Sequence, residues 1–207
     1  MYLCQMWKVK NRSFMRTNKI DYILIHHTGG EVTETLKQID DYHKSLRFYK
    51  SSLGYYVGYH RLIFPDGTII KTREDTDEGC HCVGYNTNSL SFCLVGNFSR
   101  GTWLENHYPT DKQIESLTSL LKETMKQYSI PLARIKYHNH IKRTECPGKN
   151  IKQDFIKGLL TEPEQEDKIE QELLRESKTL IEKIREIILQ IQRFLQLNKV
   201  GGQKEDN

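Results

Sequence analysis

Two histidines stand side by side at the end of an apolar run, IDYILIHHTGG (residues 20–30), where His26 and His27 lead into a Thr-Gly-Gly turn. Much later, the segment HNHIKRTECPG carries His138, His140 and Cys146. Imidazole nitrogens and a thiolate are ligands for a borderline-soft divalent cation. Two nitrogens and one sulfur leave a fourth position open, the composition of a catalytic zinc site rather than a closed structural one. Neighbouring residues on a strand point to opposite faces, so His26 and His27 can hardly both serve one site. Spacing does not choose between them, nor between His138, eight residues before the cysteine, and His140, six before it.

These residues need elements to position them. Ile20 to Ile25 reads as a buried strand, and TETLKQIDDYHKSL (33–46) as an amphipathic helix with Leu36, Ile39, Tyr42/His43 and Leu46 at helical spacing. His43 on that helix reads as a partly exposed structural residue. YYVGYHRLIFPDGTIIKTRE reads as a hairpin turning at Pro65-Asp66-Gly67, and SLSFCLVGNF (89–98) as a further strand with Cys93 buried. TDKQIESLTSLLKETMKQYSI (110–130) predicts a helix capped by Thr110 and stopped by Pro131, with Ile114, Leu117, Leu120, Leu121, Met125 and Tyr128 facing a core. A short strand, LARIKYH, then leads to the histidine–cysteine segment.

The flanks differ from this block. Residues 1–18 form a polar, basic arm. Residues 161–167 read as a linker or helix start, and 168–200 as a long amphipathic helix. In it Leu173, Leu180, Ile187 and Phe194 recur every seven residues, Ile184 and Ile191 fill the intermediate row, and Ile181, Ile188 and Leu195 widen the stripe. Such a helix needs a partner, and a homo-oligomer is the favoured reading, with wall targeting as the other. Residues 201–207 read as a disordered tail.

Composition excludes several classes. A net charge of +4, with 31 Lys and Arg interleaved among 27 Asp and Glu, is too weak to argue for nucleic acid. No apolar run is long enough to span a membrane. Five cysteines at irregular spacing do not resemble a secreted disulfide framework. Cys80 and Cys82, flanking His81, read as apolar fillers rather than a Cys-His-Cys metal cluster. The basic N-terminus lacks the apolar stretch of a secretory signal, which predicts synthesis in the cytoplasm.

The ordered set IHHTG, GYHRLIFPDGTI, GYNTNSLSFCLVGNF and HNHIKRTECPG resembles the zinc-dependent N-acetylmuramoyl-L-alanine amidases, a family that includes phage endolysins and animal peptidoglycan recognition proteins. The similarity runs from about Ile20 to about Leu160, so that residues 19–160 would form the catalytic domain. It implies an α/β fold with a central mixed β-sheet flanked by helices, to which this chain adds its long C-terminal helix. It also implies His26, His138 and Cys146 as ligands of one Zn2+, and Tyr59, in Gly-Tyr-His, as the catalytic tyrosine. His27 then becomes structural, and His60 should face away from the site. Thr144 falls where some relatives carry lysine and others threonine, and it brings no positive charge. His81 and Asn86, with Tyr85 beside them, match a segment of the substrate groove; their local composition is equally that of a turn.

The implied activity is hydrolysis of the amide between N-acetylmuramic acid and L-alanine in peptidoglycan. The setting that fits is a phage or prophage endolysin acting on the cell wall after holin-type release. The alternatives are a bacterial muropeptide-recycling amidase or a non-catalytic peptidoglycan-binding module. Non-catalytic members lack a metal ligand, often the cysteine, whereas all three candidates are present here.

Overall fold

The computed structural model describes residues 15–16, 18–99, 107–151 and 153–201. The chain divides into two compact units, Met1–Leu159 and Leu160–Asn207.

The first unit is built on a mixed five-stranded sheet. Strand β1 (Tyr22–His27) is buried from Ile23 onward. It lies between β4 (Ser89–Leu94) and β5 (Ile135–Tyr137), parallel to both. β4 in turn pairs in parallel with β2 (Arg61–Ile63), and β2 pairs antiparallel with β3 (Ile69–Lys71), giving the order β3-β2-β4-β1-β5. Strands covered on both faces read as near-continuous apolar runs, as Ile23–Ile25 does and as Leu90–Leu94 does apart from the buried Ser91. The β2–β3 hairpin turns at the expected Pro-Asp-Gly: Gly67 takes φ +87°, and the Asp66 carboxylate accepts from the backbone N–H of Thr68 at 2.9 Å. β4 stops at Leu94, before the expected end, because Gly96 (φ +139°) turns the chain.

Helix α1 (Leu36–Ser45) is opened by a reciprocal cap. Thr35 Oγ1 accepts from the Gln38 N–H at 3.3 Å, and Gln38 Oε1 accepts from the Thr35 N–H at 2.8 Å. The helix buries Ile39 against Val57, Leu62, Cys93 and Val95. His43 departs from expectation. It is buried, stacks on Phe48 at 4.9 Å, and its Nδ1 accepts from the Gly58 N–H at 3.3 Å. The helix face turned to the core is simply wider than the apolar letters showed.

Helix α2 (Asp111–Tyr128) carries the same kind of cap, between Thr110 and Gln113. Leu117 and Leu121 are fully buried, each contributing about 2–3 kcal/mol of apolar transfer. Gln113 shares this face, since its Nε2 donates to the carbonyls of Ile63 and Val95 at 2.9 and 3.0 Å. The helix ends at Ser129 in the left-handed conformation (φ 54°), two residues before Pro131.

Of the N-terminal arm, Arg16 is described, and it enters the fold. Its guanidinium donates to the carbonyls of Asp75, Thr87, Asp77 and Ser89 at 2.9–3.1 Å. Residues 1–14 lie outside the described residues, as do residues 202–207 of the tail. The C-terminal helix α3 runs from Gln153 to Gly201, so residues 161–167 are helical. On it Leu173, Leu180, Ile184, Ile187, Ile188 and Ile191 are exposed. Among the described residues no helix is long and apolar enough to cross a membrane.

Candidate metal centre

The parallel pairing of β1 and β5 brings distant residues together. Ile25 is level with Tyr137, so one step further His26 and His138 emerge at the same edge, the carboxyl ends of the strands. Their rings are 4.6 Å apart. His138 opens a short 3-10 turn, His138–His140, and the loop after it returns Cys146. Asn139 N–H donates to the Cys146 carbonyl at 2.9 Å, closing that loop, while Cys146 N–H donates to Thr144 Oγ1 at 3.2 Å. Gly148, at φ +110°, lies against Phe98, where a Cβ would meet the backbone at 2.5 Å. Only glycine lets the loop sit that close.

One ligand atom each from His26, His138 and Cys146 fall within 4.8 Å of one another, and Cys146 Sγ is 3.5 Å from His26 Nδ1. Among the described residues this is the one cluster of three or more His, Cys, Asp or Glu side chains so arranged. His140 is exposed, packs its ring on Tyr137 at 5.1 Å, and stands outside it. Cys80 and Cys82 are buried on either side of His81, as is Cys93 in β4.

His27 faces the other side of the sheet. Its Nδ1 accepts from the Phe98 N–H at 3.2 Å, and burial lowers its pKa to about 4. Its backbone nonetheless belongs to the site: the His27 N–H donates to Cys146 Sγ at 3.4 Å. No side-chain pattern could have disclosed that contact, because a main-chain atom makes it.

The electrostatics suit a cation. Burial, reinforced by neighbouring imidazoles, holds His26 well below the usual histidine range, so its lone pair is available. Burial pushes the Cys146 thiol up to about 12, against the opposing pull of the His27 N–H. Such a thiol does not ionise alone, which disfavours a free thiolate nucleophile; a bound metal ion would deprotonate it.

The remaining candidates occupy distinct places. Tyr59 sets its ring 5.2 Å from that of His26, and burial, with Cys93 and Cys146 nearby, holds its phenol well above the usual range and therefore neutral. Thr144 is exposed and orients the backbone of Cys146. His81 places Nδ1 3.1 Å from His26 Nε2. Asn86 commits its Oδ1 to the backbone N–H groups of His81 and Cys82 at 2.9 and 2.8 Å, and Tyr85 packs edge-on against Tyr22. His60 is fully buried with Ser91 Oγ 2.9 Å from its Nδ1 and Arg16 Nη2 3.1 Å from its Nε2.

Residues 16–149, which include every one of these side chains, match the N-acetylmuramoyl-L-alanine amidase family. The chain belongs to that family. Amidase LysC from Clostridium intestinale is 30% identical, superposes with a TM-score of 0.59, and is matched over 94% of its chain and 73% of this one. The endolysin of Escherichia phage T7 is 29% identical over 150 residues, 93% of its length and 71% of this amidase-family chain. A Drosophila simulans peptidoglycan-recognition protein, SC2, is 32% identical over 141 residues, 70% of its length and 64% of this chain. The mixed sheet with flanking helices is the fold shared with LysC.

Proposed function

We propose that this amidase-family protein is a zinc-dependent peptidoglycan hydrolase. It cleaves the amide between N-acetylmuramic acid and L-alanine, in the role of a phage or prophage endolysin. The observation that carries the reading is the convergence of His26, His138 and Cys146. In a tetrahedral zinc site with Zn–N near 2.0 Å and Zn–S near 2.3 Å, neighbouring ligand atoms stand about 3.3–3.6 Å apart. The 3.5 Å between Cys146 Sγ and His26 Nδ1 meets that requirement, and the donor set leaves one position open. When bound, zinc lowers the pKa of water to about 7 and polarises the substrate carbonyl.

The chain's own residues supply the rest. His26 and His138 offer neutral nitrogens, and Cys146 is aimed by two backbone contacts, its own N–H to Thr144 and the His27 N–H to its sulfur. Tyr59, kept neutral, is a hydrogen-bond donor for the oxygen that gains charge as the amide carbon becomes tetrahedral. Thr144 acts through Cys146 and contributes no charge, so Tyr59 is the side chain left to assist at that oxygen.

The apolar stripe of α3 supports self-association of this helix, since Leu173, Leu180 and Ile187 recur at heptad spacing and are each more than half exposed. Sedimentation of the full chain and of a truncation after residue 162 tests this: an oligomer that becomes monomeric on truncation is expected, and a monomer in both cases refutes it.

The enzymatic reading is tested with purified protein of known zinc content incubated with peptidoglycan. Turnover that disappears together with the metal in His26→Ala and Cys146→Ala is expected. Turnover by either metal-free variant would refute it.

A further inference from the structure

His81 touches a candidate ligand on the side away from the thiol, and hydrogen-bond bookkeeping fixes what it does there. The backbone carbonyl of Tyr85 can only accept, and Ser89 Oγ lies 2.7 Å from it. A serine has one hydroxyl hydrogen, so that hydrogen is committed to Tyr85. Ser89 Oγ is also 3.3 Å from His81 Nε2 and must be the acceptor there, so Nε2 of His81 carries a hydrogen. A neutral imidazole has one N–H, which leaves His81 Nδ1 as an acceptor.

The atom facing that acceptor is His26 Nε2, at 3.1 Å. His26 therefore carries its hydrogen on Nε2 and its lone pair on Nδ1, the nitrogen 3.5 Å from Cys146 Sγ. The relay runs one way, from His26 through His81 and Ser89 to the Tyr85 carbonyl. The opposite tautomer of His26 would turn an N–H toward the metal centre.

We infer that His81 is a positioning residue for the metal centre, accepting the Nε2–H of His26 and so presenting the His26 Nδ1 lone pair to the cation. This rests on the reading of His26 as a ligand, and it assigns His81 to the metal rather than to the muropeptide. Two features of the chain serve the arrangement. Gly79 makes room for the ring, since a Cβ there would lie 2.3 Å from His81 Cδ2. Asn86 pins the His81 backbone by accepting its N–H at 2.9 Å.

A metal ligand whose other ring nitrogen is so held typically loses about 10–100-fold in metal affinity when the partner is removed. The test is zinc affinity of the full chain, measured by competition with a chelator, together with the absorption spectrum of the cobalt-substituted protein. Two substitutions of similar polarity discriminate. In His81→Asn the amide oxygen falls near the former Nδ1 and still accepts, so affinity near wild type and an unchanged cobalt spectrum are expected. In His81→Gln the amide lies further out, near the former Nε2, and a loss of about 10–100-fold is expected. Gly79→Ala, which crowds the ring without removing a polar group, should reproduce that loss.

Equal zinc affinity for wild type, His81→Asn and His81→Gln would overturn the inference, all the more if KM for peptidoglycan rose in both variants. A wild-type chain that takes up no zinc would instead overturn the metal centre itself, and is distinguished by failing before any variant is compared.

Discussion

The backbone N–H of His27 points at Cys146 Sγ across 3.4 Å, while the side chain of His27 lies on the opposite face of β1 against Phe98. The two adjacent histidines thus serve one centre in different ways. His26 brings a ring nitrogen and His27 a main-chain donor to the sulfur. A peptide N–H directed at a thiolate favours its ionised form, which is the form that binds a metal. The end of a single strand accordingly sets one candidate ligand and tunes another.

Tyr59→Phe keeps the ring against His26 and His43 and removes only the hydroxyl. Loss of one donor to a developing oxyanion costs about 10²–10³-fold in kcat. The expected result is a fall of that size with zinc content unchanged, read from turnover of peptidoglycan beside metal analysis. Wild-type kcat in this variant would remove Tyr59 from the chemistry.

Acid should weaken the metal-free fold through buried imidazoles. His43 and His27 are each held at about 4, against about 6.5 for a free histidine. The unfolded chain therefore binds more protons than the folded one between these values. The stabilisation is fully present above about pH 6.5, declines as pH falls from there, and levels off below about 4. Each group is worth on the order of 3 kcal/mol over that interval, a large share of a typical 5–15 kcal/mol. Urea unfolding between pH 7.5 and 4 should show this slope, and His43→Gln should flatten it. An unchanged slope in the variant would refute the assignment to His43.

Arg16 satisfies four backbone carbonyls from two chain segments at once, Asp75 and Asp77 in one and Thr87 and Ser89 in the other. Arg16→Ala leaves them without that donor, at a cost of about 2–4 kcal/mol in unfolding free energy. Arg16→Lys should recover little, because one ammonium cannot reproduce the planar fork. Denaturant titration of the three proteins decides it, and a wild-type midpoint for Arg16→Ala would contradict the contact's importance.

How much of this was legible in the sequence depends on the range of the interaction. The Thr110 cap, the Pro65–Gly67 turn and the apolar run into His26 are written in neighbouring residues and were readable; the Thr35–Gln38 cap is as local, yet the sequence reading passed over it. The choice between His26 and His27 was not, because it turns on which face of β1 receives Cys146 from a loop 120 residues away. The motif resemblance pointed to His26, whose Nδ1 lies 3.5 Å from Cys146 Sγ, while the His27 ring turns to Phe98. His43 misled because, beyond its place on the Ile39 face of the helix, its burial is completed by Phe48 and the Gly58 N–H, which lie outside that helix. Arg16 spends its guanidinium on distant carbonyls, so nothing in its spacing announces it. Gly79 is silent for a similar reason: its role is the space it leaves for His81.

The central claim is that His26, His138 and Cys146 hold a metal that cuts one particular bond. Mass spectrometry of muropeptides after digestion of purified peptidoglycan tests it most directly. The account predicts glycan chains freed of their peptides and stem peptides with a new free amino group on L-alanine, in zinc-loaded protein and not in Cys146→Ala. Unchanged muropeptides with zinc bound, or new reducing sugar ends in place of free L-alanine amines, would contradict it.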